Sequence, residues 1–160
     1  MAKVYISIGS NIGDRKVNLE SARKFIVTKA GSILKVSLIY ETEAWGFKEQ
    51  PSFYNQVILV NTLLTPHELM IRLKEIENKM GRIHLGKWKQ RLIDLDILYF
   101  DDLIVSEELL KIPHPFIQDR KFNLIPLCEI SPEVIHPVLK RSNIELLSIC
   151  KDQLEVKKVQ

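Results

Sequence analysis

The sequence predicts an α+β domain with a ferredoxin-like βαββαβ core, an antiparallel sheet with helices packed on it, plus a C-terminal hairpin and short helices. Three observations predict it. Strand-like apolar segments recur near residues 3, 32, 53 and 92; two stretches with helical apolar spacing lie between the first and second and between the third and fourth; and turn residues stand at most of the junctions. A length of 160 residues fits one domain spanning 1–160.

Residues 3–8 alternate like a strand, and Gly9-Ser10-Asn11-Ile12-Gly13-Asp14 ends it as a turn and helix cap. A helix then runs to about Lys29, with Val17, Ala22, Phe25 and Ile26 on one face, and Gly31 stops it. Residues 32–41 read as a second strand, 42–52 as a loop and 53–61 as a third strand. Thr65, Pro66 and Glu68 are the N-cap, first-turn proline and capping-box partner of a second helix. Leu69, Leu73, Ile76 and Met80 form its apolar stripe, and Gly81 ends it. A polar loop over 82–91 leads to a fourth strand over 92–100. A hairpin near Asp101-Asp102, a crossing at Pro113-His114-Pro115 and helices near 123–128 and 143–150 follow, the last capped by Ser142 and Glu145.

Hydrophobic residues make up 46% and charged residues 27%, which excludes a disordered chain, a coiled coil and a collagen-like repeat. No apolar run approaches the roughly 18 residues of a membrane span, and the amino terminus lacks a signal peptide's h-region. The expectation is a cytoplasmic protein with no membrane partner. Cys128 and Cys150 lie in apolar surroundings without a metal-type spacing and are expected to be buried thiols. A net charge of +3 gives little support to a nucleic-acid partner, and no aromatic RNA-recognition consensus occurs on the strands.

The local charge is sharper than the total. Lys79 to Arg91 holds five basic residues and no acid, whereas Leu92 to Leu110 holds six acids and no base. Such a pair of blocks suits a polyphosphate with a divalent metal: arginines take phosphate oxygens, and carboxylates hold Mg²⁺. The alternative is a solvated loop beside an exposed hairpin. Asp94 and Asp96 favour the metal reading. On a strand they share one face, with Leu98 and Phe100 continuing it and Ile93, Leu95, Ile97 and Tyr99 filling the other. Two carboxylates on an otherwise apolar strand need cations, either arginines or metal. Trp45 and Phe53 read by default as core aromatics, and His114 as a packed histidine. Asn55 presents a donor and an acceptor that could read an amide-like heterocycle.

Taken together the residues resemble the 6-hydroxymethyl-7,8-dihydropterin pyrophosphokinase family of folate biosynthesis. The likeness rests on Gly-Ser-Asn-x-Gly after the first strand, Tyr40-Glu41-Thr42 before Trp45-Gly46, and Gln50-Pro51 before Phe53-Tyr54-Asn55. It continues through Glu77, Gly81-Arg82, Trp88, Arg91-x-x-Asp94-Leu-Asp96-Ile-Leu, Ile-Pro113-His114, Arg120 and Phe122, to Pro126-Leu-x-Glu-Ile-x-Pro132. The resemblance implies an Mg-dependent diphosphotransferase that moves the β,γ-diphosphate of ATP onto the pterin's hydroxymethyl group, leaving AMP. It implies two Mg²⁺ ions on Asp94 and Asp96, with catalytic Arg82 and Arg91. It implies a pterin site of Thr42, Glu43, Trp45, Phe53, Asn55 and Phe122, and nucleotide contacts from Arg82, Trp88, Arg91, His114 and Arg120. Phe53 and Phe122 would sandwich the pterin. Residues 82–91 are expected to be a lid that orders on ATP, although Lys89-Gln90 replaces the family's usual Gly and Pro or small residue after the tryptophan. The partners expected are small molecules only, acting on a monomer.

Overall fold

The computed structural model describes residues 1–44, 49–81 and 92–160. Its centre is β1 (Ala2–Ser10), flanked by β4 (Phe53–Thr62) and β5 (Asp94–Phe100), both antiparallel to it. β2 (Ser32–Val36) and β3 (Tyr40–Thr42) pair in succession with the far edge of β4, and β8 (Val156–Lys158) pairs with β3. The order β5-β1-β4-β3-β8, with β2 also on β4, is the expected ferredoxin-like arrangement with one added edge strand.

Helices cover both faces. Leu19, Ala22 and Ile26 of α1 (Arg15–Lys29) and Leu69, Leu73 and Ile76 of α2 (Pro66–Lys79) bury against Val4, Ile6, Ile8, Ile58 and Val60. On the other face, Leu124 and Leu127 of α3 (Lys121–Ile130) and Leu146 of α4 (Asn143–Ile149) meet Tyr5, Val57, Leu59 and Leu98. β1 is therefore continuously buried from Val4 to Ser10 rather than alternating.

The caps match the sequence. Asp14 accepts from the Val17 N–H at 3.1 Å, and Thr65 with Glu68, like Ser142 with Glu145, forms a reciprocal capping box. Gly31 has φ +152°, and a Cβ there would run into the Asn61 carbonyl oxygen, so this turn admits only glycine.

Several expectations change. Val17 is 53% exposed, and Leu19 takes its place on the buried face of α1. The strand expected over 32–41 is broken at Ser37, whose N–H donates to the Val57 carbonyl at 2.9 Å and whose Oγ accepts from the Val57 N–H at 3.0 Å. The Leu38 N–H then turns to the Glu129 carboxylate at 3.0 Å. Asp101-Asp102 forms the turn leaving β5, where the Lys3 N–H donates to Asp101 Oδ1 at 2.8 Å. The hairpin itself is β6 (Val105–Ser106) with β7 (Lys111–Ile112), closed by the Glu107 N–H on the Leu110 carbonyl. Cys128 and Cys150 are only partly buried, and burial still pushes the Cys128 thiol up to about 11. The loop expected over 82–91 lies outside the described residues. No helix among the described residues is long and apolar enough to cross a membrane.

Candidate active site

The site lies on the α3 face of the sheet. Gly9 pairs with Asp94 on one side and with Asn55 on the other, and Ser7 pairs with Asp96 and Val57. Cross-strand partners point to the same face, so Asp94, Asp96 and Asn55 rise on one surface. Two inter-strand steps set the backbones of Asp94 and Asn55 about 9.5 Å apart. Both carboxylates are half-buried. The register shifts between Tyr5 and Ile6, leaving Leu98 as an extra residue in β5. That bulge corrects the expected pattern: Phe100 joins Leu95 and Ile97 on the α1–α2 face, while Tyr99 joins Leu98 on the α3 face.

The Leu95 N–H, between the two aspartates on this edge strand, points away from β1 and donates to Glu77 Oε1 at 2.8 Å. Glu77 is 3% exposed, so α2 closes the sheet edge with a buried carboxylate. A cleft of about 310 Å³ opens here, lined by Leu73, Glu77, Asp94, Asp96, Lys111 and His114.

His114 is set against β5 by its N–H on the Leu98 carbonyl at 2.9 Å. Its Nδ1 accepts from the Phe116 N–H at 3.2 Å, which leaves Nε2 to carry the proton. Burial first, and then the positive charge of Arg120, push its pKa down from 6.5 to about 4, with Asp94 opposing. At neutral pH His114 is therefore an uncharged hydrogen-bond donor. The Arg120 guanidinium lies 5.0 Å from the Phe116 ring centre and 5.6 Å from that of Phe122.

At the other end of the row, Asn55 and Thr42 are buried, and Asn55 Nδ2 donates to Thr42 Oγ1 at 2.8 Å. A Cβ on Gly9 would stand 3.2 Å from Asn55 Oδ1 and 3.7 Å from Phe53 Cδ1, so the glycine keeps this floor open. Phe53 is half-buried at the start of β4. Phe122 is half-buried in the first turn of α3, which is fixed over β1 because Ser7 Oγ donates to Asn123 Oδ1 at 3.0 Å. The Glu43 side chain is exposed.

The structure thus brings together Asp94, Asp96, His114 and Arg120 at one pole, and Thr42, Asn55 and Phe53 at the other; Phe122 stands in the first turn of α3, its ring centre 5.6 Å from the Arg120 guanidinium. Trp45, Arg82, Trp88 and Arg91 lie outside the described residues. The turn expected from Gly9 starts later, because Gly9 and Ser10 lie within β1, and Glu77 and Arg15 have no role in the sequence reading. Arg15 Nη1 donates to the Ser52 carbonyl and Oγ at 2.8 and 2.7 Å, its guanidinium stacks 3.7 Å from the Tyr54 ring centre, and it pairs with Glu41 at 3.2 Å. With Asn11 Nδ2 on the Pro51 carbonyl at 3.3 Å, it ties the segment before β4 to the start of α1. The visible signal for Gly9 was its place in Gly-Ser-Asn-x-Gly; Arg15 acts on residues 37 positions away and left no local signal.

The donor set fits magnesium. Among the described residues no group of three or more His, Cys, Asp or Glu converges as a metal cage. Two half-buried carboxylates beside an open cleft instead suit an ion that completes its shell with water and phosphate oxygens.

An α+β frame with a carboxylate pole and an amide-and-aromatic pole on one sheet face is the frame of a transferase with two unlike ends to its site. The family described as 7,8-dihydro-6-hydroxymethylpterin-pyrophosphokinase (HPPK) matches residues 5–132. A 2-amino-4-hydroxy-6-hydroxymethyldihydropteridine pyrophosphokinase of Aquifex aeolicus is 42% identical over 145 residues, covering 88% of each chain. The enzyme of that name from Bacillus subtilis is 41% identical, covering 81% of this chain and 78% of its own. A Dictyostelium discoideum folic acid synthesis protein is 42% identical over 85% of this chain, which spans only 20% of that longer protein. A crystal structure of Plasmodium falciparum HPPK-DHPS with pterin and p-hydroxybenzoate superposes with a TM-score of 0.74 at 19% identity, over 92% of this chain and 41% of its own. At that identity the likeness speaks to the fold alone. The chain belongs to the 7,8-dihydro-6-hydroxymethylpterin-pyrophosphokinase family.

Proposed function

We infer that the chain transfers the β,γ-diphosphate of ATP to the hydroxymethyl group of 6-hydroxymethyl-7,8-dihydropterin, a step of folate biosynthesis. The pterin hydroxyl oxygen attacks the β-phosphorus and its proton passes to solvent, the bond from that phosphorus to the α–β bridging oxygen breaks, and AMP leaves. The observation that carries this reading is the Asp94–Gly9–Asn55 row. It separates a carboxylate pole from an amide-reading pole by two inter-strand steps, a span suited to a bicyclic heterocycle whose reactive arm lies opposite its pyrimidine edge.

Asp94 and Asp96 would hold magnesium, two ions in the full reading. When bound, magnesium supplies charge neutralisation at the phosphate oxygens. His114, uncharged, donates from Nε2 to a phosphate oxygen without adding a further cation. Arg82, Arg91 and Arg120 take phosphate oxygens as fixed cations, and Trp88 covers the nucleotide. Asn55 reads the pterin's pyrimidine edge, steadied by Thr42, while backbone groups of Glu43 and Trp45 complete that edge. Phe53 and Phe122 stack on its two faces. The protein would work as a cytoplasmic monomer of one domain, without nucleic-acid or membrane partners.

The test is product analysis with ATP and Mg²⁺, with and without the pterin. AMP and pterin diphosphate formed only when both substrates are present support the reading. ADP as the nucleotide product, or AMP formed at the same rate without the pterin, contradicts it.

A further inference from the structure

The family match ends at residue 132, yet the last ten residues touch both sides of the proposed heterocycle slot. β8 adds to the free edge of β3, pairing Thr42 with Val156, Glu41 with Lys157 and Tyr40 with Lys158. The Val159 N–H continues the ladder on the Ile39 carbonyl at 2.9 Å, and Lys16 Nζ holds the Gln160 carbonyl oxygen at 2.8 Å. β3 is only three residues long, and this second ladder secures the strand that carries Thr42.

The same segment reaches the opposite wall through Asp152. Its Oδ2 accepts from the Lys121 N–H at 3.0 Å, and its Oδ1 accepts from the Leu154 N–H, also at 3.0 Å. Lys121 is the first residue of α3 and precedes Phe122. The N-cap residue of that helix is Arg120, whose guanidinium is a donor only and offers nothing to the first-turn N–H groups. Asp152 therefore supplies from outside an acceptor for the first N–H of the helix, and its charge suits a helix N-terminus. Asp152, Leu154 and Val156 are half-buried, whereas Lys151, Gln153 and Glu155 are exposed, so the strap lies with one side against the body.

We propose that Asp152 is a positioning residue for pterin binding: with β8 it straps the first turn of α3 to β3 and holds Phe122 at a fixed separation from the Thr42–Asn55 pair. This rests on the reading of Phe122, Thr42 and Asn55 as the pterin site. None of its bonds reaches Asp94, Asp96 or His114, and it adjoins the nucleotide side only through Arg120, the N-cap of the turn it holds.

The experiment measures affinity for 6-hydroxymethylpterin and, separately, for a non-hydrolysable ATP analogue by calorimetry. The variants are Asp152→Ala, Asp152→Asn, Lys157→Pro and Phe122→Ala. Lys157→Pro removes an N–H from the β3–β8 ladder. Asp152→Ala and Lys157→Pro are expected to weaken pterin binding about three- to ten-fold, the effect of a lost cap of ordinary strength. The nucleotide analogue, which the strap adjoins only through Arg120, should lose clearly less affinity than the pterin, and Asp152→Asn, which keeps an acceptor, should recover part of the loss. Wild-type pterin affinity in both Asp152→Ala and Lys157→Pro overturns the strap, as does an equal loss for pterin and nucleotide. If Phe122→Ala also binds pterin like the wild type, the slot reading itself has failed, and the strap falls with it.

Discussion

Asp94 and Asn55 stand in one cross-strand row with only Gly9 between them, on β5, β4 and β1 respectively. The relationship joins the two poles of the site through a residue that has no side chain. An added Cβ would press on Asn55 Oδ1 at 3.2 Å. Gly9→Val is therefore expected to displace Asn55, fill the floor of the slot and weaken pterin binding at least about ten-fold, a loss of roughly 1.4 kcal/mol. Calorimetry with pterin and with an ATP analogue should show the loss for pterin alone.

Phe122→Ala removes one stacking face. Base–aromatic stacking is worth about 1–3 kcal/mol in nucleic-acid systems, so pterin affinity should fall roughly ten-fold or more. Unchanged pterin affinity in both Phe53→Ala and Phe122→Ala would reject the sandwich.

Glu77 is a buried carboxylate that accepts from the backbone N–H between the two aspartates. Glu77→Ala leaves that N–H without its acceptor, which costs about 1–3 kcal/mol. At about 2–4 °C per kcal/mol for a chain of this size, the unfolding temperature should drop measurably. Glu77→Gln keeps an acceptor and should lose less. Equal melting curves for wild type and Glu77→Ala would remove the edge-closing role.

His114 is expected to titrate near 4 in the ligand-free protein, against 6.5 in the unfolded chain. The folded value is the lower one, so the unfolded chain takes up the proton first. The stability this ring contributes is fully present above pH 6.5 and is lost as pH falls from there through 4. Proton NMR of the imidazole measures this directly. A midpoint near 6.5 would make His114 a partly charged phosphate ligand at neutral pH rather than a neutral donor.

Much of the frame was legible in the sequence because its signals are local. The Thr65–Glu68 and Ser142–Glu145 boxes, the Asp14 cap and the Gly31 and Gly81 stops each act within a few residues. Asp94 and Asp96 were legible because strand periodicity places i and i+2 together. What escaped depends on distant partners. The break at Ser37 is made by Val57, the face switch at Phe100 by the bulge opposite Tyr5 and Ile6, and the burial of Leu19 rather than Val17 by the phase of α1 on the sheet. β8 was missed because a three-residue strand on a polar tail has no periodicity to read. Gly9 and Arg15 belong to the site through contacts made only after β1 and β4 pair.

Diphosphate transfer in the proposed function depends on metal held by Asp94 and Asp96. The most direct measurement is the rate of AMP formation by Asp96→Asn at saturating pterin and Mg-ATP, with the fold checked by circular dichroism. An amide keeps the shape of the side chain but brings no negative charge to magnesium. Loss of several kcal/mol of transition-state stabilisation predicts a fall of about a thousand-fold or more in a folded protein. A folded Asp96→Asn enzyme that forms AMP at close to the wild-type rate would contradict the account.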